Sequence, residues 1–400
     1  MRLGEEDLSI QGIRIATAAS GLRYAGRDDL AVLEIAPGSR THCVFTQNRF
    51  RAAPVDVAQE HLALAAPRFL VINAGNANAG TGSEGIQAAR DVCRAVADVF
   101  SADANQVLPF STGVIGEQLD AQRIANTLPT MPPILSGTGW SRAAEAIMTT
   151  DTRSKLVSCE FELGGKNHRI VGIAKGSGMI RPNMATMLAY VGTDVAIAPD
   201  LLAIMTQQAA DTSFNRITVD GDTSTNDALA VISTGSGDMV DSVEHRDYAT
   251  VQTAINAVCT QLAQKIIEDG EGATKFVSIR VSGGQNEAAC LNVAYTVAES
   301  PLVKTAMFAA DPNWGRILAA VGRAPDVELN IAEVDITIGD EVLIRSGEPA
   351  PNYDESNAAK IMAGDRYEIH VRIGQSAAEV TVWTCDFSYD YVKINADYRS

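Results

Sequence analysis

A glycine-rich segment, Lys175 to Leu188, constrains the chain most, and it reads KGSGMIRPNMATML. Its glycines allow the backbone unusual conformations, and Pro182 then restricts the chain before a small pair of residues, Ala185-Thr186. The pattern has a plain interpretation, in which a turn leads into a buried strand. It also has a chemical one, in which this segment presents a single peptide bond for cleavage.

Cleavage between Ala185 and Thr186 would make Thr186 a chain terminus. Its hydroxyl would then lie beside a free α-amine, whose reference pKa is about 7.7–8.0. Such an amine can accept the hydroxyl proton near neutral pH, so nucleophile and base would belong to one residue. The β-branch of threonine restricts χ1 and helps to aim the oxygen. The segment therefore predicts an N-terminal threonine nucleophile that needs no histidine.

The charge balance argues against several classes of partner. Lys and Arg total 32 and Asp and Glu total 49, which gives a net charge of −17 in 400 residues. A surface this acidic disfavours nucleic acids and anionic membranes and is compatible with a cationic or zwitterionic small substrate. The first residues are acidic and no apolar run is long enough for a membrane span, so we expect a cytoplasmic protein.

Familiar metal and hydrolase motifs are missing from the sequence. The five histidines have no metal-ligand spacing, the six cysteines include no C-x-x-C pair, and no G-x-S-x-G elbow or phosphate-binding loop occurs. The run from Asp220 to Asp227 is like a calcium loop, but Thr225 replaces the glycine at its sixth position and Val231 the glutamate at its twelfth. We therefore predict no metal site and expect free, buried thiols.

Strand-like and helix-like runs alternate along the chain, which predicts a layered α/β structure with substantial antiparallel sheet. One hairpin is expected across Gly164-Gly165, and another around Gly374, between the strands 368–373 and 379–384. Two Pro- and Gly-containing stretches, Leu128–Gly139 and Gly347–Asp354, are candidate boundaries between lobes or surface loops.

Three further runs have both a structural and a chemical interpretation. Ser111–Gly116 follows a predicted strand, where the backbone N–H groups and hydroxyl of Thr112-Gly113 suit an oxyanion, although a run of this kind taken alone is more often a simple strand-to-helix turn. Asp269–Lys275 places glycines on either side of Glu271, which permits either a close approach to a ligand or a helix C-cap. The polar end, 393–400, is either a frayed tail or a segment folded over a site.

Taken together, these runs resemble the ornithine acetyltransferase family, the bifunctional glutamate N-acetyltransferases of arginine biosynthesis. The resemblance covers nearly the whole chain, and its segments follow in the family's order. They are 73–78 (NAGNAN), 111–116 (STGVIG), 148–152 (MTTDT), 175–188, 219–227 (VDGDTSTND), 269–275 (DGEGATK), 311–316 (DPNWGR) and 395–400 (NADYRS).

The resemblance implies a fold and a set of roles. The implied fold is an α-β-β-α sandwich of the self-processing N-terminal-nucleophile acyltransferase type, with a smaller second α/β lobe. Cleavage at Ala185–Thr186 implies fragments 1–185 and 186–400, interleaved in one sandwich and associated as two copies of each. Catalysis is implied for Thr186 as nucleophile and base, with Thr112 and Gly113 as the oxyanion hole. The residues implied in substrate binding are Thr152, Lys175, Thr186, Glu271, Asn395 and Ser400.

The implied reaction moves the acetyl group of N2-acetyl-L-ornithine to L-glutamate through acetyl-Thr186. No cofactor is needed for this cycle, and whether acetyl-CoA also serves as a donor stays open. One alternative is a self-processing N-terminal-threonine amidohydrolase or aminopeptidase, which would pass the acyl group to water. Another is a non-catalytic binding protein in which the glycine-rich segment is only a turn.

Overall fold

The protein consists of two compact units. A computed structural model describes residues 1–181, 187–235 and 239–397. The first unit comprises Met1–Asn215 and Asp222–Ile266, and the second comprises Arg216–Gly221 and Ile267–Ser400. Both candidate boundary stretches lie inside a single unit, Leu128–Gly139 in the first and Gly347–Asp354 in the second, so neither connects the units.

The chain alternates between strands and helices from end to end. The strands are β1 (Arg2–Gly4), β2 (Ile13–Ala18), β3 (Leu30–Ile35), β4 (Arg40–Phe45), β5 (Phe69–Asn76), β6 (Val107–Val114), β7 (Lys155–Leu163), β8 (Lys166–Lys175), β9 (Leu188–Thr193), β10 (Ile217–Thr218), β11 (Ala228–Ser233), β12 (Phe276–Gly284), β13 (Asp335–Ile338), β14 (Glu341–Arg345), β15 (Glu348–Pro349), β16 (Arg366–Arg372) and β17 (Ala378–Cys385). The helices are α1 (Ala53–Leu64), α2 (Gly82–Phe100), α3 (Ala121–Thr127), α4 (Trp140–Ala146), α5 (Pro199–Thr212), α6 (Tyr248–Glu268), α7 (Glu287–Ala298), α8 (Pro301–Phe308), α9 (Trp314–Val321), α10 (Glu355–Met362) and α11 (Tyr389–Ala396). Short 3-10 helices lie at Ala104–Gln106, Leu128–Thr130, Pro132–Ile134, Phe214–Arg216 and Ile331–Glu333.

The first unit contains two sheets. One has the order β1-β7-β8-β9-β11-β4 and the other the order β2-β3-β5-β6. The hairpin predicted across Gly164-Gly165 is confirmed, since β7 and β8 are antiparallel and Leu163 pairs with Lys166. Both glycines have positive φ, +55° and +80°, which a two-residue turn of this kind requires.

The two sheets of the first unit face each other across a common apolar core. Residues of this core come from both sheets and from α4, among them Ile13, Ile15, Leu33, Ile72, Phe110, Trp140, Ile173, Tyr190 and Ala230. The outer face of the four-stranded sheet packs against α2 through a second cluster that includes Val71, Val92, Cys93 and Val96. Helices α5 and α6 cover the outer face of the six-stranded sheet. The predicted α-β-β-α sandwich is therefore confirmed for this unit.

Two glycines mark the opposite faces of the six-stranded sheet. An added Cβ at Gly192 in β9 would lie 2.5 Å from Ile13 Cδ1, on the side of the other sheet. An added Cβ at Gly172 in β8 would lie 2.9 Å from Leu262 Cδ1 of α6. The absence of side chains at these two positions allows a sheet on one face and a helix on the other to approach closely.

The second unit is a smaller α/β lobe, as predicted. Its sheet has the order β10-β17-β12-β16-β13-β14-β15 and packs against α7. A single apolar core contains the alternate residues Val277, Ile279 and Val281 of β12 together with Val293 and Val297 of α7. This alternation is what a sheet half-covered by a helix requires.

The hairpin predicted around Gly374 is wrong. Strands β16 and β17 do not pair with each other, because β12 lies between them, parallel to β16 and antiparallel to β17. The connection passes over the end of β12, where Ile373 N–H donates to Ser282 O at 2.9 Å and Ser376 N–H to Gly283 O at 3.3 Å. Insertion of β12 buries three of its apolar side chains, a gain that the local turn pattern does not show.

The close approach at Gly192 predicts a stability effect. Gly192→Ala places its methyl group against Ile13 and 3.1 Å from the Trp140 ring, so we expect a loss of about 1–3 kcal/mol from overpacking. The matched variant Gly137→Ala meets only Ser9 Cβ, at 3.5 Å, and is expected to be close to neutral. Thermal and urea unfolding measure both. Equal stabilities for the two variants would contradict the close approach of the sheets.

Candidate active site

The end of β6 carries the predicted oxyanion residues. Gly113 has φ +131°, and an added Cβ would lie 2.3 Å from Gly75 C and 2.5 Å from Asn76 N on the parallel strand β5. Only glycine fits at this point. Thr112 precedes it and is buried. The end of β6 therefore holds the Thr112 hydroxyl and the Gly113 backbone at a fixed position against β5.

An amide network behind this strand end fixes Ser111, the residue before Thr112. Asn226 Nδ2 donates to Ser111 O at 2.9 Å and to Ala77 O at 2.6 Å, while Ser111 Oγ donates to Asn73 Oδ1 at 2.6 Å. Asn73 and Asn226 are both buried. Both residues lie within segments that resemble the family, but their sequence context alone indicates no role for them. Their function here is to satisfy buried polar groups next to Thr112.

Lys175, the last residue of β8, reaches Thr112 from the other sheet. Its Nζ donates to Thr112 Oγ1 at 3.1 Å and to Thr149 Oγ1 at 2.9 Å. The side chain is almost entirely buried. Thr112, Gly113 and Lys175 are therefore brought together, as a shared site requires, and the Lys175 ammonium group lies directly against the Thr112 hydroxyl.

Asp151 is a buried carboxylate that joins the loop before β7 to the end of β8. Lys155 Nζ and Gly176 N–H each donate to its Oδ1 at 2.7 Å, and Thr149 N–H donates to its Oδ2 at 3.0 Å. Lys175 Nζ lies 4.0 Å from Oδ2. Burial acts to raise the pKa of Asp151, but the charges of Lys175 and Lys155 and these hydrogen bonds outweigh it and hold the pKa well below its usual range.

A second buried carboxyl, Asp227, has the opposite character. It precedes β11, where Ala228 N–H donates to Met187 O at 3.0 Å. Burial raises the pKa of Asp227 well above its usual range, and the Lys175 charge and hydrogen bonds from Met187 and Ser224 offset only part of this. Its Oδ2 accepts no hydrogen bond within the described part of the chain. Asp227 therefore favours the neutral form. It lies next to the start of β11, which pairs with β9, the strand that follows Met187.

The other residues predicted in the first unit are Thr152 and the cleavage pair. Thr152 is exposed in the loop before β7, next to the buried Asp151. The predicted cleavage pair, Ala185 and Thr186, lies outside the described residues.

Within the second unit, Glu271 and Asn395 are brought together. Asn395 Nδ2, in α11, donates to Glu271 Oε2 at 2.9 Å. Glu271 is 6 % exposed and lies in the loop between α6 and β12. The segment from residue 393 is therefore partly helical, and one of its side chains contacts the predicted binding residue. Ser400 lies outside the described residues.

The loop that carries Glu271 is bound firmly to the segment before α11. Asp386, fully buried, accepts hydrogen bonds from Thr274 N–H at 2.8 Å, Thr274 Oγ1 at 2.6 Å and Lys275 N–H at 2.9 Å. Ser388 Oγ donates to Gly272 O at 2.6 Å. The sequence analysis missed Asp386, because only the folded chain brings it to residues 274 and 275.

Other site types find little support in the described residues. Residues 1–181, 187–235 and 239–397 contain no group of three or more His, Cys, Asp or Glu side chains placed to hold a metal ion. The six cysteines are free and buried, as expected. In the same ranges, no helix has the length and apolar character needed to cross a bilayer.

Comparison with known proteins assigns the family. The model of the ArgJ family matches residues 14–400. The chain belongs to the ArgJ family. The resemblance to the bifunctional acetyltransferases of arginine biosynthesis is thereby confirmed at the level of the family, and the chain is an ArgJ-family enzyme.

Two relatives at 51 % and 45 % identity agree with this assignment. A protein of Psychrobacter arcticus named arginine biosynthesis bifunctional protein ArgJ is 51 % identical over 98 % of this chain and 97 % of its own. One of Pseudomonas fluorescens with the same name is 45 % identical over the same shares. A solved ArgJ structure from Bacillus halodurans is 39 % identical, covers 52 % of this chain and 97 % of its own, and has a TM-score of 0.49.

The geometry at Gly113 predicts a sharp effect of one methyl group. Gly113→Ala forces a side chain into the backbone of Gly75 and Asn76, so we expect loss of activity together with a large drop in stability. Gly38→Ala, also at positive φ (+84°) but with nothing within 4 Å, should lose only about 1–2 kcal/mol. Unfolding and activity measurements separate them. A Gly113→Ala enzyme as stable as Gly38→Ala would contradict the geometry.

The depressed pKa of Asp151 predicts a pH-dependent stability. Asp151→Asn leaves two buried ammonium groups without their carboxylate, and breaking a buried pair costs about 3–5 kcal/mol. A lowered carboxyl pKa stabilises the fold above the unfolded value, about 3.9, and that contribution is lost as the pH falls through the folded value. Wild type and Asp151→Asn should therefore differ most at neutral pH and converge as the pH falls below about 4.

Urea unfolding across this pH range measures the difference. Asp340→Asn, on the surface, is the matched control and should follow wild type at every pH. A gap between wild type and Asp151→Asn that widens in acid would show that the Asp151 carboxylate does not stabilise the fold.

Proposed function

We propose that this enzyme transfers the acetyl group of N2-acetyl-L-ornithine to L-glutamate, giving L-ornithine and N-acetyl-L-glutamate. Membership of the ArgJ family along nearly the whole chain supports this reaction. The observation that carries it is the contact of the Lys175 ammonium with the Thr112 hydroxyl beside Gly113. Hydrogen-bond donors and positive charge at one buried point suit the oxyanion of an acyl transfer.

Self-cleavage would first generate the nucleophile. The Thr186 hydroxyl attacks the Ala185 carbonyl, the C–N bond breaks, and an ester replaces the amide. This shift frees the Thr186 amine, and water then hydrolyses the ester to the Ala185 carboxylate and the Thr186 hydroxyl. The fragments 1–185 and 186–400 remain associated, and two copies of each form the assembly.

Acetyl transfer then proceeds by double displacement. The Thr186 amine accepts the hydroxyl proton while the oxygen attacks the acetyl carbon, and Thr112 and Gly113 stabilise the oxyanion. The C–N bond of N-acetylornithine breaks, the departing amine takes the proton, and acetyl-Thr186 remains. The amine of glutamate attacks this ester and restores Thr186. Because ornithine leaves before glutamate reacts, the kinetics are ping-pong.

The residues assigned to substrate binding suit amino-acid substrates. Lys175 provides a charge for a carboxylate, and Glu271, held by Asn395, provides one for an amino group. Thr152 and Ser400 complete the set that the family resemblance implies. The net charge of −17 also suits a small substrate that carries an amino group.

No cofactor takes part in this cycle. The relatives are named bifunctional, which supports a second donor to glutamate, and we propose acetyl-CoA as a co-substrate in that role. We also assign the enzyme to the cytoplasm. The alternative, transfer of the acyl group to water by an amidohydrolase, is not favoured by the family and would yield free acetate in place of N-acetylglutamate.

Replacement of the nucleophile tests this proposal. Thr186→Ala removes the hydroxyl, so we expect a single uncut chain of 400 residues and no acetyl transfer. Thr186→Ser keeps a hydroxyl and an amine and should retain both cleavage and transfer at reduced rates. A denaturing gel, intact mass and chromatography of N-acetylglutamate and acetate give the readouts. A Thr186→Ala chain that still splits or still turns over would overturn the mechanism.

A further inference from the structure

Two ammonium groups share one buried carboxylate next to the oxyanion hole. The Asp151 side chain is 0 % exposed and that of Lys155 is 1 % exposed. Lys155 Nζ lies 2.7 Å from Asp151 Oδ1, whereas Lys175 Nζ is 4.0 Å from Oδ2 and uses its short contacts on Thr112 and Thr149. We call this arrangement, Lys155–Asp151–Lys175, the charge chain.

The charge chain determines what the Thr112 hydroxyl can do. An ammonium group has only donors, so in its contact with Lys175 the Thr112 oxygen must accept. A hydroxyl has one proton, and no described residue accepts it from Thr112. The proton is therefore available for a negative oxygen, as an oxyanion-hole donor requires.

The position of Lys175 depends on how the two lysines share the carboxylate oxygens of Asp151. Lys155 takes Oδ1, and the backbone N–H groups of Gly176 and Thr149 take one site on each oxygen. If Lys155 were neutral, Lys175 would be the cation that remains beside the buried Asp151 carboxylate. The attraction between buried opposite charges is strong, so the Lys175 ammonium would be drawn from 4.0 Å towards direct contact and away from Thr112.

We propose that Lys155, a residue with no part in the substrate-binding set, is a positioning residue of the oxyanion hole. Acting through Asp151, it keeps the Lys175 ammonium on Thr112 Oγ1 and so fixes Thr112 as a proton donor to the developing oxyanion. This role rests on the proposed acetyl transfer, in which Thr112 stabilises the tetrahedral intermediate. Lys155 donates to Asp151 Oδ1 and to Arg153 O, and the proposed effect on Lys175 passes through Asp151.

A double-mutant cycle tests the proposal in the full-length enzyme. The variants are Lys155→Met, Thr112→Val and the two combined, with Lys155→Arg as the conservative replacement. Lys166→Met, an exposed lysine at the other end of β8, is the matched control. For each variant, kcat and KM for acetyl transfer from N-acetylornithine to glutamate are normalised to the amount of cleaved chain, measured by intact mass.

The expected pattern is specific. Thr112→Val should lower kcat about 10²–10³-fold through the loss of one oxyanion donor. Lys155→Met should lower kcat by at least about tenfold, because an interaction of the transition state weakens, and should raise KM less than it lowers kcat, because the displaced Lys175 also binds the substrate carboxylate. The combined variant should be no slower than Thr112→Val alone, because Lys155 acts through Thr112. Lys155→Arg should recover most of the rate, and Lys166→Met should match wild type.

Other outcomes would overturn the proposal. If the effects of Lys155→Met and Thr112→Val multiply in the combined variant, Lys155 acts by another route. If Lys155→Met changes KM but not kcat, or if Lys155→Arg is as slow as Lys155→Met, the charge chain does not fix the Thr112 hydroxyl as a proton donor.

Variants that remain uncut are tested by a second readout. The same cycle is then measured on the rate of self-cleavage of the purified precursor, which also passes through an oxyanion. Lys155→Met should again have no added effect when combined with Thr112→Val, and an added effect would contradict the proposal. A wild-type enzyme that cleaves itself but transfers no acetyl group would refute the proposed function and leave this test intact.

Discussion

The site of the first unit depends on the distance between its two stacked sheets. Sheets of this kind lie about 10 Å apart, too far for short polar side chains on their strands to meet. A lysine at the end of one sheet has the reach to contact a threonine at the end of the other, and Lys175 does so with Thr112. The small residue Gly192 keeps the sheets close, because an added Cβ there would strike Ile13.

The same lysine requires a buried counter-charge. A buried ammonium group without a carboxylate is costly, and Asp151 provides one that two lysines share. Asp227, which also interacts with the Lys175 charge, keeps a raised pKa because burial dominates there. Two carboxyl groups in one unit are thus driven to opposite protonation states by their surroundings, a pattern common at sites that handle protons.

The sequence predicts well what is local. The Gly164-Gly165 hairpin follows from two glycines between alternating runs, and the position of Thr112-Gly113 at a strand end follows from the strand before it. The strand pairing expected around Gly374 is wrong, because β12, which is distant in sequence, lies between the two strands. A local turn pattern gives no information about the free energy gained when an apolar strand that is distant in sequence is buried.

The charge chain and the network behind β6 could not be predicted for the same reason. Asp151 lay within a recognised segment, but nothing local shows that Lys155 and Lys175 lie beside it, on different strands. Lys155 is a lysine at the start of an apolar strand and has no motif of its own. Its role emerges only from burial and from distances of 2.7 and 4.0 Å.

In the proposed mechanism, a threonine freed by cleavage carries the acetyl group. The most direct measurement mixes enzyme with N-acetylornithine labelled in its acetyl group, without glutamate, quenches in acid and maps the label by mass spectrometry. We expect the label on fragment 186–400, as an ester at Thr186, and its loss when glutamate is added before the quench. Release of labelled N-acetylglutamate by an enzyme that never carries the label, or that carries it at another residue, would contradict the account.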